Sequence, residues 1–145
     1  MARNLLAVYL LDYLSELPCA FYHRRVERDD MDLITVLWVS IALFASAAAG
    51  GLIMAGIRVR GGRNPPAWLA MMHGLLAGAG LTLLLFAAFT VGLPTYALWA
   101  LILLVLAALG GGVMSLGYRD KGQLIPKAFM YVHAFIAVAG FILLV

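Results

Sequence analysis

Four apolar runs, each long enough to cross a bilayer, leave this chain very few possible folds. They cover roughly Leu33–Ile57, Ala67–Val91, Tyr96–Gly117 and Ile125–Val145, and a membrane-spanning helix needs about 20 residues. Backbone N–H and C=O groups in hydrocarbon must be paired within their own segment, which a helix achieves and an open sheet does not. The sequence therefore predicts an all-α membrane protein with four transmembrane helices. Composition agrees: 65% of the 145 residues are hydrophobic and 12% are charged, where a soluble domain carries about a quarter charged residues. Trp38, Trp68, Tyr96 and Trp99 fall toward span ends, where amphipathic rings prefer the membrane–water interface.

The connections set the topology. RVRGGRNPP joins the first two spans, YRDKGQLIP joins the last two, and the short uncharged GLPT makes a tight turn between the second and third. The two long loops thus share one face and carry Arg58, Arg60, Arg63, Arg119, Lys121 and Lys127. By the positive-inside rule that face is cytoplasmic, which predicts a multi-pass protein of the bacterial inner membrane. The net charge of +3 arises from these short clusters. They read as topology determinants rather than a nucleic-acid surface. The single Cys19 excludes an intramolecular disulfide and a multi-cysteine metal or iron–sulfur site.

Residues 1–30 read as an N-terminal tail, and 31–145 as the transmembrane domain. The tail holds an interrupted apolar run with Leu6, Leu10, Tyr13 and Leu14 on one side, which fits an interfacial amphipathic helix. It also holds Arg3, Arg24, Arg25 and Arg28, which opposes the charge rule. A native start at Met31 would remove that conflict, and the intact mass of the natively expressed protein tests it.

The segment Thr35–Leu85 aligns with Thr95–Val145 without gaps. The matches include Gly50/Gly110, Gly51/Gly111, Met54/Met114, Gly62/Gly122, Pro66/Pro126, His73/His133, Ala77/Ala137 and Gly80/Gly140. Alanine and glycine matches come cheaply in so biased a composition, whereas proline, methionine and histidine matches do not. The pattern predicts two helical-hairpin repeats, 33–92 and 93–145. Each enters the membrane in the same direction, so the two would be related by a pseudo-two-fold axis along the membrane normal. His73 and His133 then lie at one depth, each seven residues after a proline that fits a first helical turn. That places them about 10 Å below the loop-side helix end.

An ionisable residue inside a membrane is a functional-site hypothesis by default. Gly50-Gly51 and Gly110-Gly111 lie at similar depth on the preceding spans, and Ala77, Gly80, Ala137 and Gly140 continue the histidine faces. An imidazole from each side with small residues around it matches what a b-type haem requires of a helix bundle. Arg58 and Arg119, or the other basic loop residues, could pair with its propionates. Met54 and Met114 are alternative axial ligands or soft core filler. The competing reading is that each histidine only hydrogen-bonds between helices, with Gly74-xxx-Gly78 a packing motif.

Two histidines alone fall short of a zinc site. The scarcity of intramembrane carboxylates argues against a proton-coupled transporter. Nothing matches a nucleophile with its base or a phosphate-binding loop. The chain reads as an electron-transfer or accessory membrane protein rather than a stand-alone enzyme.

The paired histidines on a duplicated hairpin resemble the four-helix, bis-histidine membrane cytochromes of the b type. That resemblance implies one haem b held by His73 and His133. It also implies electron exchange with a quinone or with a larger oxidoreductase complex, in a chain that can form homo-oligomers. Carriers of this class that wire electrons across a membrane use two haems. The far half of these spans has no histidine, so the resemblance implies one haem, near the basic face. The alternative is a non-catalytic structural or accessory membrane subunit.

Overall fold

The computed structural model describes residues 33–145, and the expectations for the tail, including the Met31 start, lie outside the described residues. The described residues form four helices and no strand. They are α1 (Leu33–Gly61), α2 (Ala67–Thr90), α3 (Thr95–Gly112, continuing to Arg119 as a π-helix) and α4 (Lys127–Leu144). All four are long and apolar enough to cross a membrane.

Several boundaries differ from the sequence reading. Helix α1 runs past Ile57 to Gly61, because Arg58, Val59 and Arg60 are acceptable helix formers and only Gly62, at φ 62°, reverses the chain. Helix α3 runs beyond Gly117 to Arg119 by widening into the π-helix Val113–Arg119. Pro66 and Pro126 stand at the N-cap rather than inside the first turn, with extended backbone at ψ 143° and 132°. Their carbonyls accept the first helical bonds, from Ala70 N–H at 3.3 Å and Met130 N–H at 3.2 Å. Pro94 starts α3 in the same way. A proline has no N–H to leave unpaired at a helix start, so it serves where no side-chain cap is present.

The far-side turn closes at Gly92. Its φ of 89° suits glycine alone, and its N–H donates back to Ala87 O at 2.9 Å, ending α2 by tying up an orphan carbonyl.

Contacts of the glycines give the direction of each hairpin. Gly51 lies against His73 and Phe44 against Gly80, so α1 descends as α2 ascends. Gly111 lies against His133, and Leu104 against Gly140, which makes α3 and α4 antiparallel too.

The interior consists of narrow stripes. Buried positions include Ser40, Phe44 and Ala47 on α1, and Gly80, Leu84 and Ala87 on α2. The spacing of three or four residues puts each set on one helical face. Counterparts in the second hairpin, Ala100, Leu104, Ala107, Gly140 and Leu144, are buried as well. Large apolar side chains cover the outer faces: Leu52 is 74% exposed, Phe89 86% and Phe135 76%. An apolar exterior around an equally apolar interior is the arrangement a lipid solvent stabilises. The hydroxyls of Ser46, Thr82 and Thr90 donate to carbonyls one turn back, at 2.8, 2.8 and 2.7 Å, which satisfies them without water.

Candidate functional site

The two basic loops are joined to each other. Asn64 Nδ2 donates to Gln123 O at 2.7 Å, and Asn64 Oδ1 accepts from Ile125 N–H at 3.1 Å. Arg58 Nε donates to Ile125 O at 2.9 Å. Both loops therefore cap the same end of the bundle, above a cavity of about 320 Å³.

The histidines reach this cavity from α2 and α4. His73 Nδ1 lies 2.8 Å from Ala47 O, and His133 Nδ1 lies 2.8 Å from Ala107 O. A carbonyl oxygen only accepts, so each Nδ1 carries the proton and donates. That assigns the tautomer and leaves each Nε2 with no hydrogen-bond partner among the described residues. Fixing a ring by Nδ1–H···O=C while freeing Nε2 is the usual support of a metal-binding histidine. The ring centroids are 6.2 Å apart, with planes inclined at 67°.

The glycine pairs have a narrower role than clearance for a large ligand. A Cβ on Gly51 would stand 3.3 Å from His73 Cε1, and one on Gly111 would stand 3.4 Å from His133 Cε1. A Cβ on Gly50 would stand 3.9 Å from His73 Cβ, and one on Gly110 would stand 3.8 Å from His133 Nδ1. These glycines seat the imidazoles against the backbone of the neighbouring helix, so that Nδ1 can reach the carbonyls of Ala47 and Ala107.

Gly80 and Gly140 lie two turns deeper, away from the cavity. A Cβ at Gly80 would meet the Phe44 ring at 3.0 Å, and one at Gly140 would meet Leu104 Cγ at 3.0 Å and Ala100 O at 3.3 Å. They are points of closest helix approach. Ala77 and Ala137 are half-buried and do not line the cavity. Gly74 and Gly78 have nothing within 4 Å of a Cβ, so they form no packing seam with another described helix.

The cavity wall draws on both hairpins. Met54 and Met114, Ala55 and Ser115, Pro65 and Ile125, and Ala70 and Met130 line it as pairs in the register that aligns His73 with His133. The arginines break that register, because Arg58 corresponds to Tyr118, yet Arg58 and Arg119 are the pair that line the cavity. The π-helix accounts for the difference. Its bonds span five residues rather than four, as in Asp120 N–H to Ser115 O at 2.9 Å. Each such turn takes an extra residue, so Arg119 arrives about where residue 118 of a plain α-helix would be. Sequence spacing alone carries no signal for this.

The two arginines are electrostatically unlike. Arg119 donates from Nε and Nη2 to Asp120 Oδ1, both at 3.2 Å. Arg58 is 8% exposed and has no carboxylate partner among the described residues. Arg60, Arg63, Lys121 and Lys127 are exposed.

No group of three or more His, Cys, Asp or Glu that could hold a metal ion occurs among the described residues. The fold defines an integral membrane protein with four candidate spans. Beyond that class, no family model matches the chain, and neither does any curated protein or solved structure.

Proposed function

We propose that this is a bacterial inner-membrane protein, its basic loops cytoplasmic, that holds one b-type haem between His73 and His133. Its role is electron transfer with a quinone or with a partner oxidoreductase. The observation that carries the reading is the matched pair of imidazoles, each anchored through Nδ1 and free at Nε2, with centroids 6.2 Å apart.

Both residues are of a type that haem iron accepts as a ligand. The volume of about 320 Å³ sits at the low end of small-molecule pockets, which run from about 300 to 1,000 Å³, so a macrocycle would also occupy the cavity's open side. His73 and His133 would hold the iron, and the apolar wall would keep water from it. Haem would supply a one-electron couple. Buried positions, histidine bonds and cavity wall all recur in the register that pairs the two histidines, which supports reading the hairpins as parallel repeats.

A second reading rests on the same two rings. Edge-to-face aromatic pairs also have centroids about 4.5–7 Å apart, and each Nδ1 bond already joins the two helices of a hairpin. On that reading the chain is an accessory subunit and its histidines are packing residues.

An absorption spectrum of protein purified from haem-replete cells separates the two. The proposal expects a Soret band that shifts on dithionite reduction and is lost in His73→Ala and in His133→Ala. Stable, colourless wild-type protein would establish the second reading instead.

A further inference from the structure

We infer that Arg58 is a built anion site and that the cavity's ligand presents one carboxylate to it. The inference deepens the proposed occupancy of this cavity and rests on it.

Arg58 lies within α1 and is more than nine-tenths buried, yet its side chain lines the cavity. Its Nε is committed to Ile125 O, and the two terminal nitrogens have no partner among the described residues. Guanidinium remains charged under all ordinary conditions, and a charge removed from water without a counter-ion is strongly unfavourable. Nothing among the described residues offsets it. Their only acidic side chain is Asp120, which is paired with Arg119.

Among the described residues, that pairing leaves the cavity one uncompensated positive charge rather than two. Although the π-helix brings Arg119 to the opposite wall, its charge is already offset there. A single fork of N–H donors with one unbalanced charge matches one carboxylate. A lipid phosphate is the competing anion, and failure of the carboxylates to bind would leave it as the better occupant. The remaining wall is apolar, with Gly51, Met54 and Met114, so the ligand is an acid with an apolar body. If that ligand is haem, the carboxylate is a propionate.

The test titrates purified full-length protein in detergent with iron protoporphyrin IX, with its dimethyl ester, and with octanoate as a haem-free carboxylate. The variants Arg58→Gln and Arg58→Met remove the charge, the second keeping an apolar stem, and Arg60→Gln, exposed and outside the cavity wall, serves as comparison. Wild type and Arg60→Gln should bind the acid about tenfold or more tighter than the ester, as expected for a buried charge-assisted bond. That preference should collapse in whichever neutral Arg58 variant folds. Equal binding of acid and ester by wild type would overturn the Arg58 inference and leave the haem reading intact. If neither porphyrin binds but octanoate raises the unfolding temperature of wild type and not of the Arg58 variants, the haem reading falls and the carboxylate site stands. Failure of all three ligands overturns both.

Discussion

The imidazoles of His73 and His133 stand 6.2 Å apart between centroids, each donating through Nδ1 to a carbonyl 26 residues earlier in the chain, at the same 2.8 Å. Two equal bonds in two successive hairpins make the pair a constructed feature of the bundle, and the glycines behind the rings are part of it.

Gly51→Ala and Gly111→Ala should therefore disturb the histidines first. Each added methyl comes within 3.3–3.4 Å of an imidazole, and crowding a packed site costs about 1–3 kcal/mol. Gly74→Ala and Gly78→Ala, with nothing within 4 Å, should change stability by no more than about 0.5 kcal/mol. Thermal unfolding in detergent, compared across the four variants, checks the contrast. Equal losses at all four would contradict the assigned roles.

Gly140→Ala should cost more than Gly80→Ala. The methyl at 140 meets the carbonyl oxygen of Ala100 at 3.3 Å as well as two side chains, whereas the one at 80 meets only the Phe44 ring. A ring can rotate away and a helix backbone cannot. Phe44→Ala, which removes the ring that the added methyl meets, should recover part of the Gly80→Ala loss, and unfolding midpoints of the single and double variants measure the coupling.

Ser40→Ala should stabilise the protein. The Ser40 hydroxyl is fully buried with no hydrogen-bond partner, and the corresponding position is Ala100. An unpaired buried hydroxyl costs about 1–3 kcal/mol by protein mutational measures. A fall in unfolding temperature on this substitution would mean that the hydroxyl has a partner in the membrane.

Asn64→Ala should loosen the basic face without affecting the far turn. It removes the bonds to Gln123 O and Ile125 N–H, at a cost of about 1–3 kcal/mol. Hydrogen exchange should rise in residues 120–126 and stay unchanged around Gly92. Uniform acceleration would show that Asn64 supports the whole bundle rather than the loop junction.

Much of the architecture was legible because lipid imposes it. Four apolar runs had to become helices once the backbone could find no partner in the solvent, and the proline and glycine signals marked the turns to within a few residues. His73 and His133, aligned in sequence with Pro66 and Pro126, lie with ring centroids 6.2 Å apart. The role of the glycines was less legible. Gly50, Gly51, Gly80, Gly110, Gly111 and Gly140 look alike in sequence, yet four of them seat imidazoles and two mark helix crossings. Which face a small residue presents depends on helix rotation, and helices that are apolar on every side carry little periodic signal to set it.

By itself the sequence determined the class, the number of spans, the shared side of the two basic loops, and a pair of histidines at matching positions. Those follow from length, composition and local chemistry, which need no neighbour. Tertiary structure alone decided that each Nδ1 is taken by a backbone carbonyl, that the π-helix shifts Arg119 into the place opposite Arg58, and that among the described residues Asp120 offsets Arg119 and no carboxylate pairs with Arg58. Those depend on where side chains from separate helices meet, and a shift of one residue in a single helical turn is enough to decide which of two basic residues faces the cavity.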